Sequence, residues 1–237
     1  MGSKGGRRHI KKLGAPKSWN IQRKDFIWVA KPRAGPHALE GSLAVTTVLT
    51  IVLKKASTIR EAEKLIKTGE IFVDGRVVKD PKFPVGFMDV ISIPKIDESH
   101  LVVYDKYGRI KLQKLDKEQK FKLCRIEAKN IIRKNKKQIG LHDGRTIIVD
   151  KEYRTGDVLK ISVPDQKIMD HFEFKKGNTA YVMRGKHAGK TAKIKEEFKG
   201  TASREALVIL ESSGETFSAP KRYLFIIGKD KPEIVIE

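Results

Sequence analysis

The sequence predicts an α+β protein built from several small modules, and three patterns among its 237 residues lead to this prediction. A helix pattern that runs directly into a hairpin pattern occupies residues 58–78. Two later stretches, 96–170 and 171–237, hold short strand-like segments separated by glycine and aspartate turns, which is typical of small, mostly-β domains. The first 33 residues contain ten lysines and arginines against one acid, without an apolar period. We therefore expect a basic arm followed by three folded modules.

Residues 1–42 are predicted to form the basic N-terminal arm and a joint. Such a composition cannot bury enough apolar surface to fold alone, and basic arms commonly become ordered on nucleic acid. Trp19 and Trp28 depart from this composition. Each either anchors the arm to a domain or stacks on a base, and anchoring is favoured because large aromatic side chains usually pack. The joint, "PRAGPHALEGS" at 32–42, is rich in turn residues.

Residues 43–95 are predicted to form a small helix–helix–hairpin domain. An apolar helix is expected from Leu43 to about Lys55. The second helix has a start signal in the capping box formed by Thr58 and Glu61, whose side chains accept hydrogen bonds from backbone N–H groups. Gly69 provides its stop signal. The hairpin follows, with Asp74-Gly75 as its two-residue turn, and "MDVISIP" adds a further strand.

The second helix has two faces of opposite character. Its apolar residues recur at helical spacing and are expected to pack inward: Ile59, Ala62, Leu65 and Ile66. Its basic residues lie on the opposite face at i, i+4 and i+7: Arg60, Lys64 and Lys67. Like charges at i, i+4 destabilise a helix by a few tenths of a kcal/mol, so stability does not explain this row. The row is either an ordinary solvated face or a surface that meets a polyanion.

Residues 96–170 are predicted to form a mostly-β central domain, and residues 171–237 a compact barrel of about five strands. A basic loop bracketed by glycines, "RGKHAGK" at 184–190, interrupts the first strands of the barrel. The sequence leaves the conformation of this loop open.

The balance of charge indicates the class of partner. The chain has 50 Lys and Arg against 29 Asp and Glu, a formal net charge of +21. Such a charge destabilises the free protein through self-repulsion. It is best explained by a polyanionic partner, of which nucleic acid is the commonest. No apolar stretch approaches the roughly 18 residues that span a bilayer, and no signal peptide is visible. We therefore expect a cytoplasmic protein without a membrane partner.

Catalytic and metal-binding patterns are weak throughout the sequence. The single cysteine, Cys124, and six histidines without metal-ligand spacing predict no metal site and no cofactor. "GKHAGKT" at 185–191 is similar to the end of a phosphate-binding loop, but it lacks one residue between its glycines and the helix that must follow. Because no nucleophile is placed with a base and an orienting group, we expect no enzymatic activity and no small-molecule substrate.

Basic residues spread over several small modules suit a folded RNA, which proteins recognise by shape, phosphates and 2′-hydroxyls. On this interpretation the basic row of the second helix faces phosphates. The candidate RNA-binding residues lie in the arm, around the two helices and the hairpin, and in the 184–190 loop: Lys4, Arg7, Arg8, Lys11, Lys12, Lys17, Lys54, Lys55, Arg60, Lys64, Lys67, Arg76, Arg184, Lys186, His187 and Lys190.

Several of these segments resemble known families. "REAEKLIKTGEIFVDGRVV" at 60–78 is similar to the helix–helix–hairpin RNA-binding module first named from a ribosomal small-subunit protein. The stretch from Gly177 to Ile194 resembles a KOW motif of an SH3-like barrel, although Thr191 and Ala192 stand where a glycine is usual. Over nearly the whole chain, five further segments resemble the S-four-e family of archaeal and eukaryotic small-subunit ribosomal proteins: "GPH" at 35–37, "FPVGFMDVISI" at 83–93, "FKLCRIEAK" at 121–129, "HDGRTI" at 142–147 and "FKKGNTAYVMRG" at 174–185.

The resemblance implies a structural constituent of the small ribosomal subunit that binds ribosomal RNA, contacts neighbouring ribosomal proteins and catalyses no reaction. The chain also lacks the basic tail that eukaryotic relatives tend to carry, which predicts an archaeal source. The alternative is a KOW-containing RNA-binding transcription or translation factor. A pseudouridine synthase can carry the same helix–hairpin module, but the G-R-x-D-type loop of such an enzyme is not visible here.

Overall fold

The structure is a computed structural model that describes residues 9–22, 26–115, 119–132, 135–198, 200–201, 205–212, 214–234 and 236. These residues are mostly β, with two short α-helices among nineteen strands. The chain divides into two compact units, Met1–Val102 with Arg109–Asp116, and Val103–Gly108 with Lys117–Glu237. Within the described ranges, no helix has the length and apolar character needed to cross a membrane.

The first unit begins with a small antiparallel ribbon of β1 (Ile10–Lys11) and β2 (Trp28–Val29). Strand β3 (Ser42–Ala44) then leads into helix α1 (Val45–Thr47), which continues as a π-helical turn at Val48–Val52. Helix α2 (Ile59–Lys67) follows and packs against both.

The rest of the first unit is β-structure. Its strands are β4 (Phe72–Val73), β5 (Arg76–Val77), β6 (Pro84–Gly86), β7 (Val90–Ile93), β8 (Glu98–Tyr104) and β9 (Ile110–Leu115), except that the last two residues of β8 belong to the second unit. Strand β6 pairs antiparallel with β3, and the other five form one sheet in the order β5-β4-β7-β8-β9. The segment "HLVVYD", expected in the central domain, therefore lies in this sheet, where Leu101 pairs with Val90.

The local signals around α2 are confirmed in detail. The Thr58 hydroxyl accepts a hydrogen bond from the backbone N–H of Glu61 at 3.2 Å, and the Glu61 carboxylate accepts one from Ser57 N–H at 2.8 Å. Gly69 ends the helix at φ +82°. Asp74 and Gly75 have φ values of 50° and 68°, the two positive values that a type I′ hairpin turn requires.

Two expectations about the helices are wrong. Leu43 belongs to a strand, because it pairs with Val85 of β6, and the helical residues begin only at Val45. On α2, Ala62 and Ile66 are fully buried, but Ile59 is 52% exposed and Leu65 is half-buried. A nine-residue helix presents only about two turns to its neighbours, so the buried stripe shrinks to one i, i+4 pair.

The joint at 32–42 contacts the rest of the first unit through two segments, "GPH" and "FPVGFMDVISI". His37 of "GPH" places its Nε2 2.9 Å from a carboxylate oxygen of Asp89, and the same oxygen accepts a hydrogen bond from Gly86 N–H at 2.9 Å. A Cβ on Gly86 would lie 2.4 Å from Cγ of His37, so only glycine fits against the ring. "GPH" and "PVGFMD" therefore form one buried contact.

Described parts of the arm also have a fixed place in this unit. Trp19 is buried, and its indole N–H donates to the carbonyl of Leu39 at 3.3 Å. Ile110 N–H donates to the carbonyl of Ser18 at 2.7 Å. Anchoring is thus correct for Trp19, whereas Trp28 is 53% exposed. Residues 1–8 and 23–25 of the predicted arm lie outside the described residues.

The second unit contains two five-stranded antiparallel sheets. The first has the order β12-β11-β10-β13-β14 and consists of β10 (Phe121–Ile132), β11 (Lys136–Leu141), β12 (Thr146–Val149), β13 (Val158–Ser162) and β14 (Ile168–Phe172). The second has the order β18-β17-β16-β15-β19 and consists of β15 (Thr179–Val182), β16 (Thr191–Phe198), β17 (Leu207–Ser212), β18 (Glu215–Pro220) and β19 (Leu224–Gly228).

Each of these sheets has its own apolar core. Cys124, Ile126 and Leu159 belong to the first core, and Val182, Ile194 and Leu210 to the second. Arg125 joins the two sheets, because its Nη1 donates to the carbonyls of Arg222 at 3.0 Å and Leu224 at 2.9 Å. The second sheet provides the five strands that the sequence predicts after residue 171.

Candidate nucleic-acid interface

The basic side chains of α2 form a row on its exposed face, which we call the α2 basic row: Arg60, Lys64 and Lys67. Lys67 Nζ lies 4.0 Å from a carboxylate oxygen of Glu63, at the outer limit of an ion pair. Neither Arg60 nor Lys64 has a carboxylate partner within the described ranges. Glu61, in the first turn of the helix, accepts a hydrogen bond from the backbone N–H of Ser57 as part of the cap. The row thus presents nearly uncompensated positive charge to solvent.

Three other predicted residues of the first unit lie at the ends of its elements. Lys54 has a positive φ of 52° where the helical turn ends, and Arg76 lies beside the hairpin turn; both are exposed. Lys55 differs, because its Nζ binds a carboxylate oxygen of Glu98 at 2.8 Å. Hydrogen bonding from Lys55 lowers the pKa of Glu98 below its ordinary value. Lys55 therefore contributes less unbalanced charge than Lys54 or Arg76.

In the arm, the predicted residues have different environments. Lys11 and Lys17 are exposed, and Lys11 Nζ lies 5.7 Å from the ring centroid of Trp28. Lys12 is buried, with 7% exposure, and its Nζ lies 5.3 Å from the ring centroid of Phe26. This burial argues against a phosphate contact by Lys12. Lys4, Arg7 and Arg8 lie outside the described residues.

The 184–190 loop is a compact turn in the second unit. Val182 N–H donates to the carbonyl of Lys190 at 3.0 Å, and Gly189 N–H donates back to the carbonyl of Val182 at 2.9 Å. A Cβ on Gly189 would lie 2.9 Å from the backbone nitrogen of Lys106, so the close approach of two backbones requires glycine here. These contacts give the loop the defined conformation that the sequence left open.

The predicted residues of this loop separate into two kinds. Lys186 and Lys190 are exposed, whereas Arg184 and His187 are half-buried. The His187 ring stacks on Phe217 with the centroids 4.2 Å apart. His187 therefore shapes the loop, and the two lysines supply its accessible charge.

One group of side chains that sequence reasoning left unassigned surrounds "HDGRTI". Asp143 is buried and accepts contacts from Lys122 Nζ at 3.3 Å and Arg145 Nε at 3.1 Å. Cys124 Sγ lies 3.6 Å from the same carboxylate oxygen. Burial raises the pKa of Asp143, but the positive charge of Lys122, with those of His142 and Arg145, outweighs it and lowers the pKa.

Cys124, His142 and Asp143 bring three potential metal-ligand atoms within 4.8 Å of one another, the one such group among the described residues. Two fixed cations already contact the carboxylate, and they would repel a divalent ion. The arrangement is therefore suited to hold the turn between β11 and β12 in place. In the sequence, this cluster corresponds to the segments "FKLCRIEAK" and "HDGRTI", whose side chains meet here.

A cleft of about 390 Å³ lies between the two sheets of the second unit, lined by Arg125, Phe174, Lys221 and Arg222 among others. Its cations have carboxylate partners: Arg125 binds Glu127 at 2.5 Å, Lys221 binds Glu197 at 2.6 Å and Arg222 binds Glu205 at 3.0 Å. The lining is close to neutral, unlike the α2 basic row. No sequence pattern predicts it, because its residues are scattered from position 125 to position 224.

Comparison with known proteins gives consistent matches along the chain. Four family models match in succession: the RS4NT (NUC023) domain over residues 4–40, the S4 domain over 48–91, the Ribosomal family S4e over 96–168 and the KOW motif over 176–209. The small ribosomal subunit protein eS4 of Methanothermobacter thermautotrophicus is 42% identical over 96% of this chain and 95% of its own length.

Two further relatives extend this likeness. The small ribosomal subunit protein eS4 of Methanococcus aeolicus is 44% identical over 99% of both chains. The crystal structure of the 30S ribosomal protein S4e from Thermoplasma acidophilum is similar with a TM-score of 0.70 and 38% identity. That match covers 80% of this chain and 96% of the other.

Proposed function

Because this chain belongs to the family of the small ribosomal subunit protein eS4, we propose that it binds ribosomal RNA of the small subunit as a structural constituent, mainly through phosphate contacts. The family expected from the sequence is confirmed by these relatives. In this role the protein works on cytoplasmic ribosomes, next to other ribosomal proteins, and has no catalytic step. Homologues from archaea agree with the expected source.

The observation that carries the proposal is the α2 basic row. It lies in the part of the chain that matches the S4 domain, and its three cations are exposed and almost unpaired. From i to i+7 the row spans about 10 Å along the helix axis. Phosphates along an RNA strand can neutralise the mutual repulsion of these cations and release counterions, which makes binding depend steeply on salt.

We also propose that further modules contribute separate contacts, with the arm in 1–42 and the KOW region in 171–237; the expected boundary between 95 and 96 is crossed by the sheet that joins β7 to β8. Lys11 and Lys17 act in the arm, Lys54 and Arg76 near α2, and Lys186 and Lys190 in the KOW region. Their exposure supports these assignments, whereas the burial of Lys12 removes it from the set.

The test replaces the α2 basic row by alanine and measures binding of the full chain to a transcript of small-subunit ribosomal RNA at several salt concentrations. We expect weaker binding and a log–log salt slope that is shallower by about one unit per lost phosphate contact. A matched control also removes three exposed lysines, each already paired with a carboxylate: Lys175 with Glu173, Lys176 with Glu196 and Lys195 with Glu211. Equal effects of the two triple variants would refute a specific role for the row.

A second experiment separates this function from that of a KOW-containing transcription or translation factor. A structural protein remains with small subunits during sedimentation through a moderate salt wash, whereas a factor largely dissociates. Loss of the protein from washed subunits would favour the factor.

A further inference from the structure

The exposed face of the β1–β2 ribbon carries an aromatic and basic surface. Phosphate contacts explain its lysine but not its exposed tryptophan ring. Lys11 and Trp28 are direct cross-strand partners, so their side chains lie on the same face. His9 meets the Trp28 ring edge-on, with the centroids 6.0 Å apart and the planes at 70°. More than half of the Trp28 surface stays exposed, whereas Trp19 is almost completely buried.

Apolar side chains next to this surface are exposed as well. Phe26 and Ile27 precede Trp28 in the chain, and Leu13 follows β1; all are more than half exposed. Leaving large apolar groups in water forfeits the free energy of their burial, and contiguous exposed groups of this kind mark interaction sites. The ribbon is therefore shaped to meet a partner.

Charge identifies the chemistry of that partner. The first 33 residues carry ten basic residues and one acid, so the partner is polyanionic. A flat aromatic ring beside a lysine matches single-stranded nucleic acid, in which bases offer π-faces and the backbone offers phosphates. The Trp28 ring is exposed, and the ammonium of Lys11 lies 5.7 Å from its centroid. An aromatic surface for a base and a positive charge for a phosphate are therefore present side by side.

We propose that Trp28 is a stacking site for an unpaired nucleobase of RNA, with Lys11 at the adjacent phosphate. This inference rests on the proposed function, because it names the kind of RNA segment that the arm recognises. It adds a stacking contact with unpaired RNA, and the stacking itself removes no counterion, unlike the salt-sensitive phosphate contacts of Lys11 and of the α2 basic row.

The experiment uses the full chain with three probes: octaadenylate, an eight-base-pair RNA duplex and the small-subunit ribosomal RNA transcript. Trp19 and Trp28 are the two tryptophans of the chain, so subtracting the emission of a Trp28→Phe variant isolates the signal of Trp28. We expect octaadenylate to quench this signal and the duplex to leave it unchanged. Trp28→Ala should weaken octaadenylate binding about 5- to 100-fold, and Trp28→Phe should retain most of the affinity.

Phe198→Ala is the matched control, because Phe198 is also 53% exposed but lies in the second unit. It should leave octaadenylate binding unchanged. For the ribosomal RNA transcript, Trp28→Ala should lower affinity without changing the salt slope, since no charge is removed.

Wild-type affinity of Trp28→Ala for octaadenylate, or equal quenching by the duplex, would overturn the stacking site. If Trp28→Ala impaired only assembly with other ribosomal proteins, a protein neighbour would be the occupant and the proposal would be wrong. Steep salt dependence of wild-type binding to the transcript reports on the proposed function separately, so the two ideas can fail independently.

Discussion

Replacing Lys122 by methionine tests how the buried charges around Asp143 stabilise the second unit. The side chains of Lys122 and Asp143 are each 1% exposed and lie 3.3 Å apart. Methionine keeps most of the length of the lysine stem and removes the ammonium, which leaves the carboxylate with Arg145 at 3.1 Å. Removing one partner of a buried pair typically costs about 3–5 kcal/mol, and the remaining Arg145 contact places the expected loss near 3 kcal/mol.

Urea unfolding followed by circular dichroism at pH 7 measures this loss. In thermal unfolding of a chain of this size, 1 kcal/mol corresponds to about 2–4 °C, so the melting temperature should fall by about 6–12 °C. Lys193→Met is the control, because this exposed lysine has no carboxylate partner among the described residues, and its replacement should stay within about 0.5 kcal/mol. A loss for Lys122→Met no larger than this control would refute the reasoning.

The pH dependence gives an independent check on the same pair. Because the pKa of Asp143 is lowered in the folded state, the stability contributed by this carboxylate is present above its unfolded pKa of about 3.9. That contribution is lost as the pH falls through the folded pKa. Lys122→Met removes the strongest charge that lowers this pKa, so the folded pKa rises toward the unfolded value and the variant loses less stability on acidification than the wild type. The difference between wild type and variant should therefore be largest near neutral pH and shrink under acid conditions.

Three further predictions concern the first unit. Ile66→Ala should cost about 2–5 kcal/mol in urea unfolding, because the side chain is fully buried, and half-buried Leu65→Ala should cost less; equal losses would contradict the burial pattern. Alanine at the α2 basic row should leave stability unchanged or raise it by a few tenths of a kcal/mol. Gly86→Ala should destabilise the unit, since its Cβ would clash with the His37 ring, and adding His37→Ala should recover part of that loss in a double-mutant cycle. Strict additivity of the two changes would rule out the clash.

Elements with local signals are predictable from the sequence. The α2 helix has its cap, its glycine stop and its hairpin turn within about twenty residues, and each signal acts through its own backbone. The exposure of the α2 basic row is predictable for the same reason. Its orientation toward solvent follows from the burial of Ala62 and Ile66 on the other face.

Features that depend on distant partners are not predictable in this way. Leu43 becomes a strand residue because Val85, forty-two positions later, pairs with it. Lys12 and Lys11 are neighbours of the same type, yet one is buried beside Phe26 and the other is exposed beside Trp28. The different fates of Trp19 and Trp28 likewise depend on whether a later segment, such as Leu39, offers a partner.

The pairing of β7 with β8 has a consequence for any attempt to isolate the S4 region. All four residues of β7 are buried, and hydrogen bonds join this strand to Glu98–Leu101 of β8. A fragment that ended at residue 95 would turn an interior strand into a bare edge, with unpaired backbone groups and apolar side chains open to other chains. Such a fragment would self-associate by strand addition. A fragment that continues through Leu115 would keep β8 and β9 as the natural cover of that edge.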